Sequence, residues 1–194
     1  MKHDHLEAIS HKKLLGILMA AAYVLLMMGN GFVSLTHPDE VFYVQSAKEM
    51  VQHNSWLTPM IFDAPQFEKP IFFFWLLALN IKLFGITPFV ARFWPAFFAI
   101  LGVAMTYWVA WMLFERKRLA FFSGLILASS FIYLALARAV LTDMVFSILV
   151  TATISLLYAA YKYPASADRW TILAGVAAGF AVLTKGILGV IFPG

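Results

Sequence analysis

Long apolar runs dominate this sequence: Leu14 to Leu35, Phe89 to Phe114, Leu119 to Ala137, Met144 to Tyr161, and Trp170 to about Leu183. A helix needs about 20 apolar residues to cross ~30 Å of hydrocarbon, and these runs fall near that length. Composition points the same way. Hydrophobic residues make up 62% of the chain and charged residues only 12%, and the mean hydropathy is +0.84. A soluble domain of this composition would expose large apolar patches. The expected fold class is therefore an all-α polytopic membrane protein with about five spans. Cysteine is absent, which excludes disulfides, thiolate catalysis and Cys-based metal sites. The formal net charge of +4 is small for 194 residues. It allows contact with anionic lipid, but nothing resembles a nucleic-acid patch.

Orientation follows from the basic residues. Lys2, Lys12 and Lys13 precede the first run, so residues 1–13 are expected to form a cytoplasmic tail. His3, His5 and His11 read as solvated residues of that tail and His53 as a helix-end residue, with no metal-ligand spacing among them. The first run is long for the core of a cleaved leader and lacks a small-x-small exit, so it reads as an anchor span. Ile71 to Phe84 would cover only roughly 21 Å as a helix, too short to cross. If the turn Glu115, Arg116, Lys117, Arg118 is cytoplasmic, an even number of crossings separates it from Lys13. That parity requires Ile71 to Phe84 to be interfacial or re-entrant, and it also makes the turn from Lys162 to Arg169 cytoplasmic. The remaining cations, Lys48, Lys69, Lys82, Arg92, Arg138 and Lys185, then share the outer side with Asp39, Glu40, Glu49, Asp63, Glu68 and Asp143. Charges at bilayer depth are costly unless they pair or hold a charged ligand. An anion such as a lipid phosphate would account for them.

Within the outer loop, residues 36–88, the segment Asp39 to Asn54 has helical periodicity. Tyr43, Val44, Ala47, Met50 and Val51 fall on one face, with Gln45, Lys48, Glu49 and Gln52 on the other. Such a helix lies in the interface plane. Pro38 before it and the acids in its first turn suit a helix start, so Asp39 and Glu40 read either as helix-start acids or as chemistry. The following segment SWLTPMIFDAPQFEKP has three prolines and reads as an ordered loop that returns Glu68 and Lys69 to the membrane surface. Those two residues could equally be a solvated pair, and span-end arginines such as Arg92 and Arg138 often snorkel to headgroups.

The order of motifs carries a resemblance. A first span is followed by DE at the start of an amphipathic helix, then W-L-T-P, FEKP, F-W-L-L-A-L-x-x-K-L-F-G, A-R-F-W-P, R-x-x-L-T-D-M and L-T-K-G. This series, in register from about Leu14 to Pro193, resembles the polyprenyl-phosphate-dependent glycosyltransferases, which include the aminoarabinose transferase of lipid A and the protein O-mannosyltransferases. The resemblance implies a GT-C-type transmembrane helical module in an inner (cell) membrane, with residues 14–194 as its N-terminal part and the active site on the extracytoplasmic face. It implies transfer of a sugar from a polyprenyl-phosphate donor to a lipid or protein acceptor. Asp39 matches the position of the catalytic carboxylate, with Glu40 and Asp143 as further acids of the site. Lys69 and Lys185 match positions expected to touch the phosphate, with Arg138 and Arg92 as further candidates. Glu68 matches a position that binds a divalent metal in some members, the one cofactor the resemblance suggests. Ile71 stands where the family's E-K-P-P pattern has a second proline. The family continues beyond a chain of this length, so residues 1–194 are expected to be an N-terminal third to half, inactive in isolation. Two other classes fit several spans with basic residues: a lipid flippase or secondary transporter, and an inactive membrane fragment. A transporter should place ionisable or helix-breaking residues near the midplane, whereas here the span centres are apolar.

Overall fold

The computed structural model describes residues 5–193; Lys2 and His3 lie outside the described residues. A short helix α1 (His5–Ala8) leads into α2 (His11–Leu26), whose start is capped by the Ser10 hydroxyl accepting the Lys13 N–H at 3.4 Å. Leu14, Leu18, Ala22 and Leu26, spaced four apart, form the fully buried stripe of α2. α3 (Pro38–Gln52) follows an irregular stretch, and its bounds agree with the amphipathic segment read from periodicity. α4 (Phe72–Phe84) and α5 (Pro88–Phe114) are separated by a turn at Gly85, where φ is 77°. α6 (Lys117–Ser129) and α7 (Phe131–Ala137) come next, then α8 (Thr142–Lys162), α9 (Ala167–Lys185) and the short α10 (Leu188–Ile191).

By length and composition α5 and α8 are able to cross a membrane, and α6 with α7 makes a third candidate span bent by 65°. The single run Leu119 to Ala137 is thus broken in the structure. Ser130 is extended (φ −67°, ψ 127°), and the helical hydrogen-bond ladder stops there. α2 has 16 residues, and α9 carries Asp168, Arg169 and Lys185 at its ends, which dilutes its hydropathy. α4, with 13 residues, is short, as its sequence implied.

Two apolar clusters meet along α5 and α8. One joins α2, α6 and α7 to them, and the other joins α3 and α4. Inside a bilayer close packing rather than escape from water holds helices together, which favours small residues at contacts. Gly124 is such a position: a Cβ there would lie 2.6 Å from Leu18 Cδ2 and 3.3 Å from the Val103 carbonyl oxygen, so a larger residue would require the Leu18 side chain to shift. The turns expected to be cytoplasmic are tied by polar contacts. Glu7 accepts the Lys117 and Arg118 N–H groups at 3.3 and 3.0 Å, capping α6. Lys162 pairs with Glu115 at 3.1 Å and donates to the Met112 carbonyl. His11 is not simply solvated: its Nδ1 lies 2.8 Å from the Tyr107 hydroxyl.

The segment between α3 and α4 holds a hairpin that the prolines did not announce. β1 (Met60–Ile61) pairs antiparallel with β2 (Ala64–Pro65). Phe62 and Asp63 between them both have positive φ, 52° and 59°, the backbone of a type I′ turn. Neither residue favours it. Glu49 of α3 compensates, its two carboxylate oxygens accepting the N–H groups of Phe62 and Asp63 at 3.1 Å each. The hairpin is therefore strapped to α3, and the strand after it carries Glu68 and Lys69 to the start of α4.

Candidate functional site

The start of α3 separates two roles that the sequence leaves merged. His37, not Asp39, caps the helix: its Nδ1 accepts the Asp39 N–H at 3.3 Å. The Asp39 side chain is 64% exposed and lies 3.7 Å from the same His37 nitrogen. One turn further, Tyr43 is buried against Phe73 and Phe74. Burial pushes its phenol pKa above the ordinary value of 10.0; a hydrogen bond with Thr142 opposes this, and the negative charges of Asp143, Asp39 and Glu68 add to the rise. Tyr43 thus stands within electrostatic reach of three carboxylates from three different segments. The sequence signal was its spacing, four residues after Asp39 on one helical face, but the same spacing reads as ordinary core.

α8 and α9 are antiparallel, joined by a 3-10 turn at Pro164–Ser166. The first turn of α8 therefore meets the last turn of α9. Asp143 and Lys185 form an ion pair there, Nζ to Oδ1 at 2.8 Å. The chain leaves α9 through Gly186 at φ 64°. The loop after β2 arrives at the same place, and a cavity of about 460 Å³ is lined by Pro59, Gln66, Glu68, Lys69, Lys185 and Gly186 among others. Two ammonium groups 116 positions apart in sequence share one polar opening. That arrangement suits a multivalent anion, because each ammonium offers rotatable donors and a full charge. It suits a divalent metal less well. Among the described residues no three His, Cys, Asp or Glu side chains gather into a metal-binding group, and Glu68 is the one carboxylate among the residues that line this cavity.

Three of the expected site residues are engaged elsewhere. Glu40 and Arg92 form an ion pair with both side chains 7% exposed. Arg92 Nε and Nη2 donate to the two Glu40 oxygens at 3.0 and 2.9 Å. Its remaining N–H groups reach the carbonyls of Asn30 and Val33 through Nη1 and of Ser34 through Nη2. Glu40 Oε1 also accepts the Val140 N–H at 3.0 Å. The pair thus joins the segment between α2 and α3, the start of α3, α5 and the turn before α8. Arg138 donates to the Leu25 and Met28 carbonyls, closing the end of α2.

The sequence profile of the dolichyl-phosphate-mannose-protein mannosyltransferase family matches residues 13–193. Among individual proteins, the undecaprenyl phosphate-alpha-4-amino-4-deoxy-L-arabinose arabinosyl transferase 2 of Proteus mirabilis is 32% identical over 82% of this chain and 29% of its own length. The structure superposes on that of ArnT from Cupriavidus metallidurans bound to undecaprenyl phosphate with a TM-score of 0.84 at 25% identity, covering 94% of this chain and 34% of that one. The oligosaccharyltransferase AglB of Archaeoglobus fulgidus, solved with an inhibitory peptide and a dolichol-phosphate, shares the fold: TM-score 0.74, 16% identity, 94% of this chain and 24% of that one. The chain spans about a third of the length of the proteins it matches.

Proposed function

The chain belongs to the dolichyl-phosphate-mannose-protein mannosyltransferase family, and from that premise we propose that it transfers a sugar from a polyprenyl-phosphate donor to a lipid or protein acceptor at the extracytoplasmic membrane face. Its fold is the GT-C-type transmembrane helical module. The observation that carries the proposal is the shared cavity of Lys69 and Lys185; Asp39, exposed at the start of α3, acts on the same Tyr43 phenol as Asp143 and Glu68.

In this reading Lys69 and Lys185 hold the donor phosphate, and Asp143 keeps Lys185 oriented through their 2.8 Å pair. Asp39 takes the proton from an acceptor hydroxyl as its oxygen attacks the sugar C1. The bond from that oxygen to C1 forms while the bond from C1 to the phosphate oxygen breaks, with inversion at C1. The polyprenyl monophosphate leaves with the bonding pair, and the fixed ammonium groups stabilise its growing charge. Tyr43, among Asp39, Asp143 and Glu68, keeps its proton and offers a neutral hydroxyl to that set of acids. Glu40 and Arg92 act one step removed. They fix the backbone on either side of Asp39 and the turn that leads to Asp143.

Binding tests the phosphate cradle directly. Lys69→Met and Lys185→Met, each in the full-length protein, should weaken undecaprenyl phosphate binding by about 10- to 100-fold, the value of a charge-assisted hydrogen bond. Unchanged affinity in both variants would remove the two lysines from the site.

A further inference from the structure

Gln66 is 7% exposed and lines the cavity that holds Lys69 and Lys185. Its backbone N–H donates to the Pro59 carbonyl at 2.9 Å. Its side-chain Oε1 accepts the Glu68 N–H at 3.2 Å. Its Nε2 has no hydrogen-bond partner. Rotating the amide does not cure this, because the NH2 would then face the Glu68 N–H, donor against donor, and Oε1 would lose its partner. A buried donor left unmatched is costly, and such groups in native proteins call for an explanation. Of the buried polar side-chain atoms without a partner among the described residues, the others belong to Asn30, Ser46, Arg138 and Trp170, none of which lines this cavity.

We propose that Gln66 is a binding residue of the donor site, its Nε2 donating to an acceptor oxygen of the sugar phosphate that Lys69 and Lys185 hold. The proposal rests on the reading of that cavity as a donor site. The chemistry of the three groups is complementary. Two ammonium groups neutralise charge but impose little direction, since each rotates on a flexible stem. A planar carboxamide whose oxygen is already tied to the Glu68 backbone points its N–H groups one way. It therefore selects the orientation of an oxygen that the lysines attract without orienting. The oxygen belongs either to the phosphate or to the sugar attached to it.

Gln66→Glu is the direct test, because Glu keeps an oxygen for the Glu68 N–H and removes only the donor, adding a charge. Gln66→Met removes the donor without adding charge. The full-length protein, wild type and variants, would be reconstituted in nanodiscs. Two probes would be titrated, undecaprenyl phosphate and its 4-amino-4-deoxy-L-arabinose conjugate, and the unfolding midpoint recorded beside each. The proposal expects at least about tenfold weaker binding in both variants, equivalent to one hydrogen bond to a charged or polar ligand. It also expects that loss at a temperature where both variants are fully folded, whatever midpoint the buried carboxylate of Gln66→Glu gives. Weakening with both probes places the oxygen on the phosphate, and weakening with the conjugate alone places it on the sugar. Unchanged binding of both probes by the folded variants overturns the proposal, as does weaker binding in Gln66→Glu alone, which would make the added charge and not the lost donor its cause. Wild-type protein that binds neither probe overturns the donor-site reading itself, and Gln66 with it.

Discussion

Arg92 donates all of its N–H groups to acceptors inside the chain: the Glu40 carboxylate and the carbonyls of Asn30, Val33 and Ser34. It has none left for a ligand. Removing one member of a buried ion pair leaves the other uncompensated, at a cost of about 3 to 5 kcal/mol. Arg92→Met should therefore lower the unfolding midpoint sharply, whereas Lys185→Met, which leaves behind a half-exposed Asp143 that water can solvate, should change it less. A stable Arg92→Met protein that has lost phosphate affinity would instead make Arg92 a ligand. The sequence exposed Asp39, Glu68, Lys69, Asp143 and Lys185 because charges at the ends of apolar runs need a reason to be there. It could not separate those five from Glu40, Arg92 and Arg138. The two arginines bind main-chain carbonyls, which every residue has, so no side-chain pattern marks their partners. Gln66 was equally silent, since only the fold reveals that its amide nitrogen is buried without a partner.

Among the elements, the hairpin before α4 is the most consequential for the site, because it delivers Glu68 and Lys69. Its turn lacks the Asn-Gly chemistry that normally announces a type I′ hairpin, which is why the segment reads as plain loop. The signal lies 13 residues upstream in Glu49. Burial pushes the Glu49 carboxyl up, but hydrogen bonds from Gln45, Asp63 and Phe62, with the nearby His53, outweigh it and hold the pKa below 4.5. A carboxyl whose folded pKa is lowered stabilises the fold fully above its unfolded value and progressively less as pH falls through the folded one. Protection of the Phe62 and Asp63 amides, measured relative to intrinsic exchange, should thus be constant above about pH 4.5 and fall below it. The His53–Asp63 pair closes the same turn at 3.0 Å, so Glu49→Gln serves as the control and should remove the dependence. If Glu49→Gln retained it in full, the strap would not be Glu49. The break between α6 and α7 was invisible for a related reason: Ser130 is neither Pro nor Gly, so no helix breaker marks the position.

For the whole molecule, the crossing number is a property of the chain in its membrane. The proposed topology places the α4 end outside and the turn before α6 inside, with five crossings when α2, the α6 and α7 pair, and α9 each count once beside α5 and α8. The natural chain has no cysteine, so single replacements report directly. A Cys at Leu83, which is 63% exposed, should be labelled by an impermeant maleimide from outside, and one at Arg116 only after the membrane is opened. The reverse pattern at either position would invert the orientation. Fold class was legible from apolar run length, because the bilayer imposes that length; charge parity supplies only the proposed orientation, which the labelling pattern tests. The central claim is narrower: the exposed Asp39 carboxylate is the base of a sugar transfer. His37 caps α3, so if Asp39 serves only as a first-turn acid it is worth about 0.3 to 1 kcal/mol through the helix dipole, and Asp39→Asn should leave transfer almost unchanged. The decisive measurement is sugar transfer by full-length Asp39→Asn, with undecaprenyl phosphate affinity and the unfolding midpoint taken on the same sample. A fall in turnover of roughly 10²- to 10⁴-fold with affinity and midpoint intact is the expected result; near-normal transfer would contradict the account.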